Sequence, residues 1–343
     1  MSATSDPTPI ALRTLLRSVG QIVLQPNAWT GLCVLAALAI GAPRLACAAV
    51  TGAIAANIGA LLAGCDEHEQ HDGLYGFNGA LAAIAANVFV DDAATAMAVA
   101  LLASTATGWC QPALARRLRM FGVACYSSPC LVVSWCWLAL MQPVHVVTAS
   151  APLTPQVWTA ATLANGVLAG IAQTTFASGA WAGALVLAGI ALSSRRHAGW
   201  ALAGAALAGA IQLALSDTGA TSFTQGLAGF NGALTALALA DCGALATLAG
   251  VLLAVALQQW TGYYHWPAMT APFVLATWVA QRVTAWATRK RHGTHRSTSA
   301  RIVRAARQAL VRRIIESRSR RCRSLTTPRD ASPPAAPSAR RNS

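Results

Sequence analysis

The sequence predicts an all-α integral membrane protein, built as two inverted repeats of about five transmembrane helices each, with broken or re-entrant helices among them. Three observations carry this expectation. The 343-residue chain is 55% hydrophobic and only 10% charged, where a soluble protein carries about a quarter of its residues as Asp, Glu, Lys or Arg. Windows such as Trp29–Ile40, Cys47–Gly64 and Gly243–Leu257 hold no charge, and several approach the roughly 20 residues that cross a bilayer. The segment GLYGFNGAL at Gly73–Leu81 returns as GLAGFNGAL at Gly226–Leu234 with eight of nine letters identical.

Other landmarks repeat with it. Gln21, Trp29, Gly31 and Arg44 are matched 152 positions later by Gln173, Trp181, Gly183 and Arg196. Farther on, SSPCLVVSW from Ser127 aligns with TAPFVLATW from Thr270, an offset of 143. The second half has therefore lost about ten residues, placed most simply between its last two spans. An odd number of spans per copy forces the copies into opposite orientations, with the site near the midplane where interrupted helices meet. The division is a polar leader 1–9, a first repeat 10–145, a second repeat 155–287 and a basic tail 288–343.

Taken in order, residues 11–24 read as a helix ended by Gln25-Pro26-Asn27, because proline cannot continue a helix. Two apolar spans follow, Trp29–Ile40 and Ala46–Gly64, joined through Pro43 and Arg44. The polar run CDEHEQHD (Cys65–Asp72) reads as an aqueous loop before the first Phe-Asn-Gly. A span to about Val90 leads to Asp91-Asp92, a helix boundary and cap. Another covers Ala93–Trp109, then a basic loop holds Arg116, Arg117 and Arg119, and Phe121–Met141 closes the half. The second half replays this order.

The net charge of +14 lies entirely in the tail: from Arg289 onward there are 16 Arg or Lys against 2 Asp or Glu. The membrane body is neutral, so the charge does not argue for a nucleic-acid partner. Residues 299–317 fit a basic amphipathic helix, which lies against anionic lipid, and the Pro/Ser/Ala/Arg-rich remainder reads as disordered. The positive-inside tendency puts the C-terminus in the cytoplasm.

The nine cysteines form no C-x-x-C pair, so neither a zinc site nor a disulfide framework is indicated. His68 and His71 sit among Asp66, Glu67 and Glu69, but a hydrated loop explains that polarity without a metal. No set of side chains suits catalysis, so the chain is read as neither an enzyme nor a cofactor protein. The spans hold almost no ionisable groups of the kind that ion-coupled transporters keep in the membrane. Their polar residues are neutral and paired between the repeats: Gln21 with Gln173, Asn78 with Asn231, Ser127 with Thr270. Amides and hydroxyls of this kind suit a small uncharged polar solute.

The doubled G-x-x-G-F-N-G, the preceding Gly20-Gln21 and Gly170-Ile171-Ala172-Gln173, and the run Pro267, Thr270, Pro272, Phe273 together resemble the urea transporter family. The likeness covers roughly residues 10–285. It implies passive, channel-like passage of urea through a narrow slot between two inverted repeats, one pore per protomer of a homotrimer in the cytoplasmic membrane. The slot has flat apolar and aromatic walls, which exclude bulky or strongly hydrated solutes, and acceptor oxygens at its edges, which replace lost water.

By that resemblance Gln21 and Gln173 stand at the two ends of the slot, Phe77 with Leu81 and Phe230 with Leu234 form walls, and Ser127 and Thr270 flank the constriction. Leu24 stands where many members place a wall phenylalanine, and its counterpart Phe176 keeps the ring. Ser127 replaces a threonine. Asn78 and Asn231 hold the broken backbone. Simpler roles stand beside these. Phe77 and Phe230 could be core, and the glutamines could stitch helices. The two hydroxyls could satisfy carbonyls freed by Pro129 and Pro272. Two other functions compete with urea passage: a pore for other small neutral solutes (short amides, water, ammonia), and a scaffold acting through the basic tail.

Overall fold

The computed structural model describes residues 10–141, 158–215, 219–264 and 266–289. The expected leader 1–9, the tail beyond 289 with its amphipathic segment 299–317, and the linker region 142–157 lie outside these residues. The chain divides into two compact units at Thr284/Ala285. Of the second, only residues 285–289 are described, and they are helical.

Helix is the one kind of regular secondary structure among the first unit's described residues, and its helices follow one pattern twice. The first half has α1 (Ile10–Gly20), α2 (Ala28–Gly41), α3 (Pro43–Leu62), α4 (Glu67–His71), α5 (Gly76–Phe89), α6 (Ala93–Met120) and α7 (Ser128–Leu140). The second has α8 (Ala160–Gln173), α9 (Ala180–Ser193), α10 (Arg195–Leu215), α11 (Gly219–Thr224), α12 (Phe230–Leu239), α13 (Ala244–Tyr263) and α14, which begins at 271 and runs to 289. Among the described residues four helices, α3, α6, α10 and α13, are long and apolar enough to cross a membrane. The pair α1/α2 adds a fifth span if counted as one, bent by 74° at its break. The shorter apolar helices α5, α7, α8, α9 and α12 have 10 to 14 residues, about 15–21 Å at 1.5 Å per residue, and too short to span alone.

Local chemistry sets the breaks. Past α1 a 3₁₀ turn covers Gln21–Val23, Leu24 turns left-handed at φ 59°, and the Asn27 side chain caps α2 by accepting from the Trp29 and Thr30 amides. The expected helix over 11–24 therefore ends one turn early, at Gly20. Asp66 caps α4 in the same way through the His68 and Glu69 amides, so the polar run is a single helical turn rather than plain loop. Asp92 caps α6 through the Thr95 amide, and the Thr95 hydrogen bonds hold its carboxyl below the usual carboxylate range.

Two further segments differ from expectation. The arginines at 116, 117 and 119 lie in the last turns of α6 and not in a loop. Charged side chains do not end a helix, and basic residues near a C-terminus complement the helix dipole. Residues 121–127 are not helical, which shortens the closing segment to the 13 residues of α7.

The short helices α5 and α12 sit at the centre. Every residue of α5 from Gly76 to Ala86 is buried; α5 packs between α3 and α6, as α12 packs between α10 and α13. A helix apolar on all sides must be enclosed. Small residues let these helices approach closely. A Cβ on Gly52 or Gly79 would meet the other's carbonyl oxygen, and Gly204 and Gly232 stand in the same relation. Helices α2 and α9 pack on each other and join the halves, with the Thr30 hydroxyl donating to the Gly189 carbonyl at 2.7 Å.

Candidate functional site

The buried amides on the central helices hold their surroundings in matching ways. Asn78 Nδ2 donates to Gln111 Oε1 at 2.8 Å and to the Tyr126 carbonyl at 3.2 Å, while Asn78 Oδ1 accepts from the Cys130 amide at 3.2 Å. Asn231 Nδ2 donates to Gln258 Oε1 at 3.0 Å and to the Met269 carbonyl at 3.3 Å, and its Oδ1 accepts from the Phe273 amide at 3.3 Å. The two glutamines pass the bonding on. Gln111 donates to the Leu74 carbonyl and Gln258 to the Leu227 carbonyl. Each network ties the residues before the central helix to the start of α7 or α14.

The Phe-Asn-Gly triplets lie within the first turn of α5 and α12. The chain breaks earlier, at Gly73 and Gly226, both at φ 81°. A Cβ on Gly73 would collide with the Arg17–Ser18 backbone, and one on Gly226 with the Ala169–Gly170 backbone. Both conformation and space therefore demand glycine there.

Four non-glycine residues among those described take positive φ: Leu24 (59°), Tyr126 (47°), Phe176 (61°) and Met269 (49°). They form two repeat pairs, Leu24 with Phe176 and Tyr126 with Met269. A left-handed residue with a Cβ costs about 1–2 kcal/mol, and such strain concentrates at functional sites. Leu24 and Met269 pack against both main apolar clusters, one containing Phe77 and Leu81, the other Leu234 with Phe230 against it.

Directly after Tyr126 and Met269 in the chain come two hydroxyls that meet. Ser127 Oγ and Thr270 Oγ1 are 2.8 Å apart, and both residues are buried. Neither bonds a carbonyl in the way the proline-freed reading required; each serves the other. The flanking chain is exchanged reciprocally: Trp135 Nε1 donates to the Pro267 carbonyl at 3.0 Å, and Trp278 Nε1 to the Ala124 carbonyl at 2.8 Å. Donor and acceptor are repeat equivalents in both bonds, so the halves interlock symmetrically around Ser127 and Thr270.

On one side a cavity of about 290 Å³ is lined by Gln21, Leu24, Phe77, Gln111 and Tyr126, among others. Three of the residues expected at the site, Gln21, Leu24 and Phe77, thus share one cavity. Gln21 Nε2 donates to the Asp72 carbonyl at 3.3 Å, as Gln173 Nε2 does to the Gln225 carbonyl at 3.2 Å. Each glutamine thus bonds to a turn just ahead of the central helix, and Gln21 also faces the cavity. Leu81 and Leu234 lie within the apolar clusters, and Phe176 packs against the first of them.

The urea transporter family model matches residues 12–284. The chain belongs to the urea transporter family. Its function is the movement of urea across a membrane, in a family of transporters and not of enzymes, and its apolar helices are those of a multi-pass membrane protein. Compared with curated protein sequences, the transporter finds no match. No group of three His, Cys, Asp or Glu suited to a metal occurs among the described residues.

Several residues of the transporter's centre escaped sequence reasoning. Gln111 and Gln258 are repeat equivalents at an offset of 147, yet their surroundings, CQPAL and LQQWT, share too little to align. Tyr126 and Met269 contribute carbonyls, and any residue type can supply a carbonyl. Trp135 and Trp278 were visible as a repeated pair, but their swapped partners were not.

Proposed function

We propose that the transporter passes urea passively through a narrow slot at the seam of two inverted repeats. The slot runs from Gln21 to Gln173, is walled by Phe77 with Leu81 and Phe230 with Leu234, and is narrowest at Ser127 and Thr270. The observation that carries this reading is the 2.8 Å meeting of those two hydroxyls, flanked by the repeat-paired strained residues. A pore on a two-fold seam requires equivalent groups from each half to face each other there, and these do. The polar residues that meet at the centre are all uncharged, which suits a neutral amide and gives an ion nothing to balance it. Leu24 and Phe176 complete the walls unequally, with a ring on one side only.

The setting we propose is the cytoplasmic membrane, with the repeats as 10–145 and 155–287, one pore per protomer of a homotrimer, and the arginine-rich tail inside against anionic lipid. Purified transporter in liposomes tests the function. Urea efflux well above that of empty liposomes, with no dependence on a proton or sodium gradient, is the expected result. Efflux equal to the empty control overturns the reading. A broader pore for short amides is the second reading, favoured by the missing ring at Leu24. Acetamide passing as fast as urea would select it.

A further inference from the structure

We infer that the cavity on the α4 side holds a urea-docking station made by Glu69 and Arg119, ahead of the slot. The inference rests on the channel reading above and adds a binding site to it. Both side chains line the same 290 Å³ cavity as Gln21, Leu24 and Phe77. That volume is just below the ~300–1,000 Å³ of sites for drug-sized ligands, and suits a small solute.

The chemistry is specific. Glu69 Oε2 accepts from the Tyr75 hydroxyl at 2.6 Å, and Glu69 Oε1 accepts from Arg119 at 3.0 Å. Tyr75 is buried, so it fixes the plane of the carboxylate. An ionised carboxylate offers about four lone-pair positions, and two are taken. The other two can accept from the paired N–H groups of urea, which is planar and presents adjacent donors as a guanidinium does. Arg119 in turn can donate to the urea oxygen. The ion pair itself is half-wet, its side chains 59% and 35% exposed for Arg119 and Glu69. Such pairs contribute little to stability and open readily.

The other half has no equivalent. Ser222 stands where Glu69 stands and Ala228 where Tyr75 stands, at the 153-residue offset of the Phe-Asn-Gly motif. At the 147-residue offset of Gln111 and Gln258, Trp266 stands where Arg119 stands. Two halves that agree at Asn78/Asn231, Gln111/Gln258 and Ser127/Thr270 thus diverge at one mouth. A charged cluster that only stapled α4 to α6 would not need to face the cavity that Phe77 lines.

The test is urea flux in proteoliposomes over a range of concentrations for Glu69→Gln, which preserves side-chain size, and Arg119→Gln, which removes the charge with a shorter polar side chain. A docking station predicts that half-saturating urea rises about two- to fivefold with maximal flux not reduced. A purely structural staple predicts the reverse: lower maximal flux with half-saturation unchanged. That outcome, or no change at all, overturns the station. Thermal unfolding is followed in parallel. Should both variants fail to fold, Tyr75→Phe, which keeps both charged groups but frees the carboxylate, must raise half-saturation too; an unchanged value overturns the station. Absence of urea flux in the parent protein would instead remove the channel reading, and the station with it.

Discussion

Ser127 and Thr270, 143 positions apart in the chain, share one hydrogen bond of 2.8 Å between their hydroxyls at the seam of the two halves. One hydroxyl must donate to the other, so neither can be removed without leaving its partner buried and unpaired. Ser127→Ala or Thr270→Val alone should cost about 1–3 kcal/mol of stability, whereas the double replacement should cost less than the sum. A double-mutant cycle by thermal unfolding measures the coupling, and strict additivity would disprove it. In flux the order reverses. Losing both acceptor oxygens should slow urea by about tenfold or more, equivalent to ~1.4 kcal/mol of barrier.

Asn78 is fully buried and makes three hydrogen bonds to groups on α6, at Tyr126 and at the start of α7. Asn78→Ala should destabilise by about 3 kcal/mol or more, because several buried groups lose their partner together. Asn78→Asp should fare no better, since the lost NH₂ faces the oxygens of Gln111 and Tyr126. Unfolding temperatures in detergent check both, and an alanine variant as stable as the parent would deny Asn78 its central place.

A Cβ on Gly31 or Gly183 would overlap the carbonyl oxygen of Leu16 or Leu168, on the helix across the bend. Backbone cannot yield as a side chain can. Gly31→Ala and Gly183→Ala should each cost roughly 3 kcal/mol or abolish assembly. Gly199→Ala serves as control: nothing lies within 4 Å of its added methyl, and alanine should be neutral or gain up to ~1 kcal/mol. Folded yield by size-exclusion chromatography separates the three, and equal yields would refute the close-contact argument.

Leu24 and Phe176 share the same left-handed backbone, at φ 59° and 61°, so a phenylalanine fits at 24 without new backbone strain. Leu24→Phe should narrow the 290 Å³ cavity that Leu24 lines. Urea flux should fall about two- to threefold, and N-methylurea by about tenfold, the discrimination one methyl group allows. Comparing the two solutes in the same liposomes decides it. An unchanged ratio would mean that residue 24 does not face the permeating solute.

Much of this was legible in one dimension. Hydropathy marked the spans, and duplication of Phe77-Asn78-Gly79 at Phe230-Asn231-Gly232 marked the centre. Pro26 and Asp92 marked a break and a cap. Each signal is local or is a copy of a local signal. The glutamines at 111 and 258 were illegible because sparse identity hid their equivalence. Their role lies in bonds to carbonyls and amides of other segments, which sequence does not name. The arginines after Trp109 look like a loop in the sequence because polarity there resembles a helix end, whereas the helix α6 continues through Met120.

The sequence alone therefore determined that two like halves exist and that Ser127 and Thr270 correspond. Only the tertiary structure decided that they touch, that Asn78 and Asn231 each gather three segments, and that Glu69 and Arg119 face the cavity of Phe77. The reason is physical: spans and turns follow from each segment's own exchange of water for apolar surroundings and backbone hydrogen bonds. A contact across 143 residues exists only once the packing of every intervening helix has set its place.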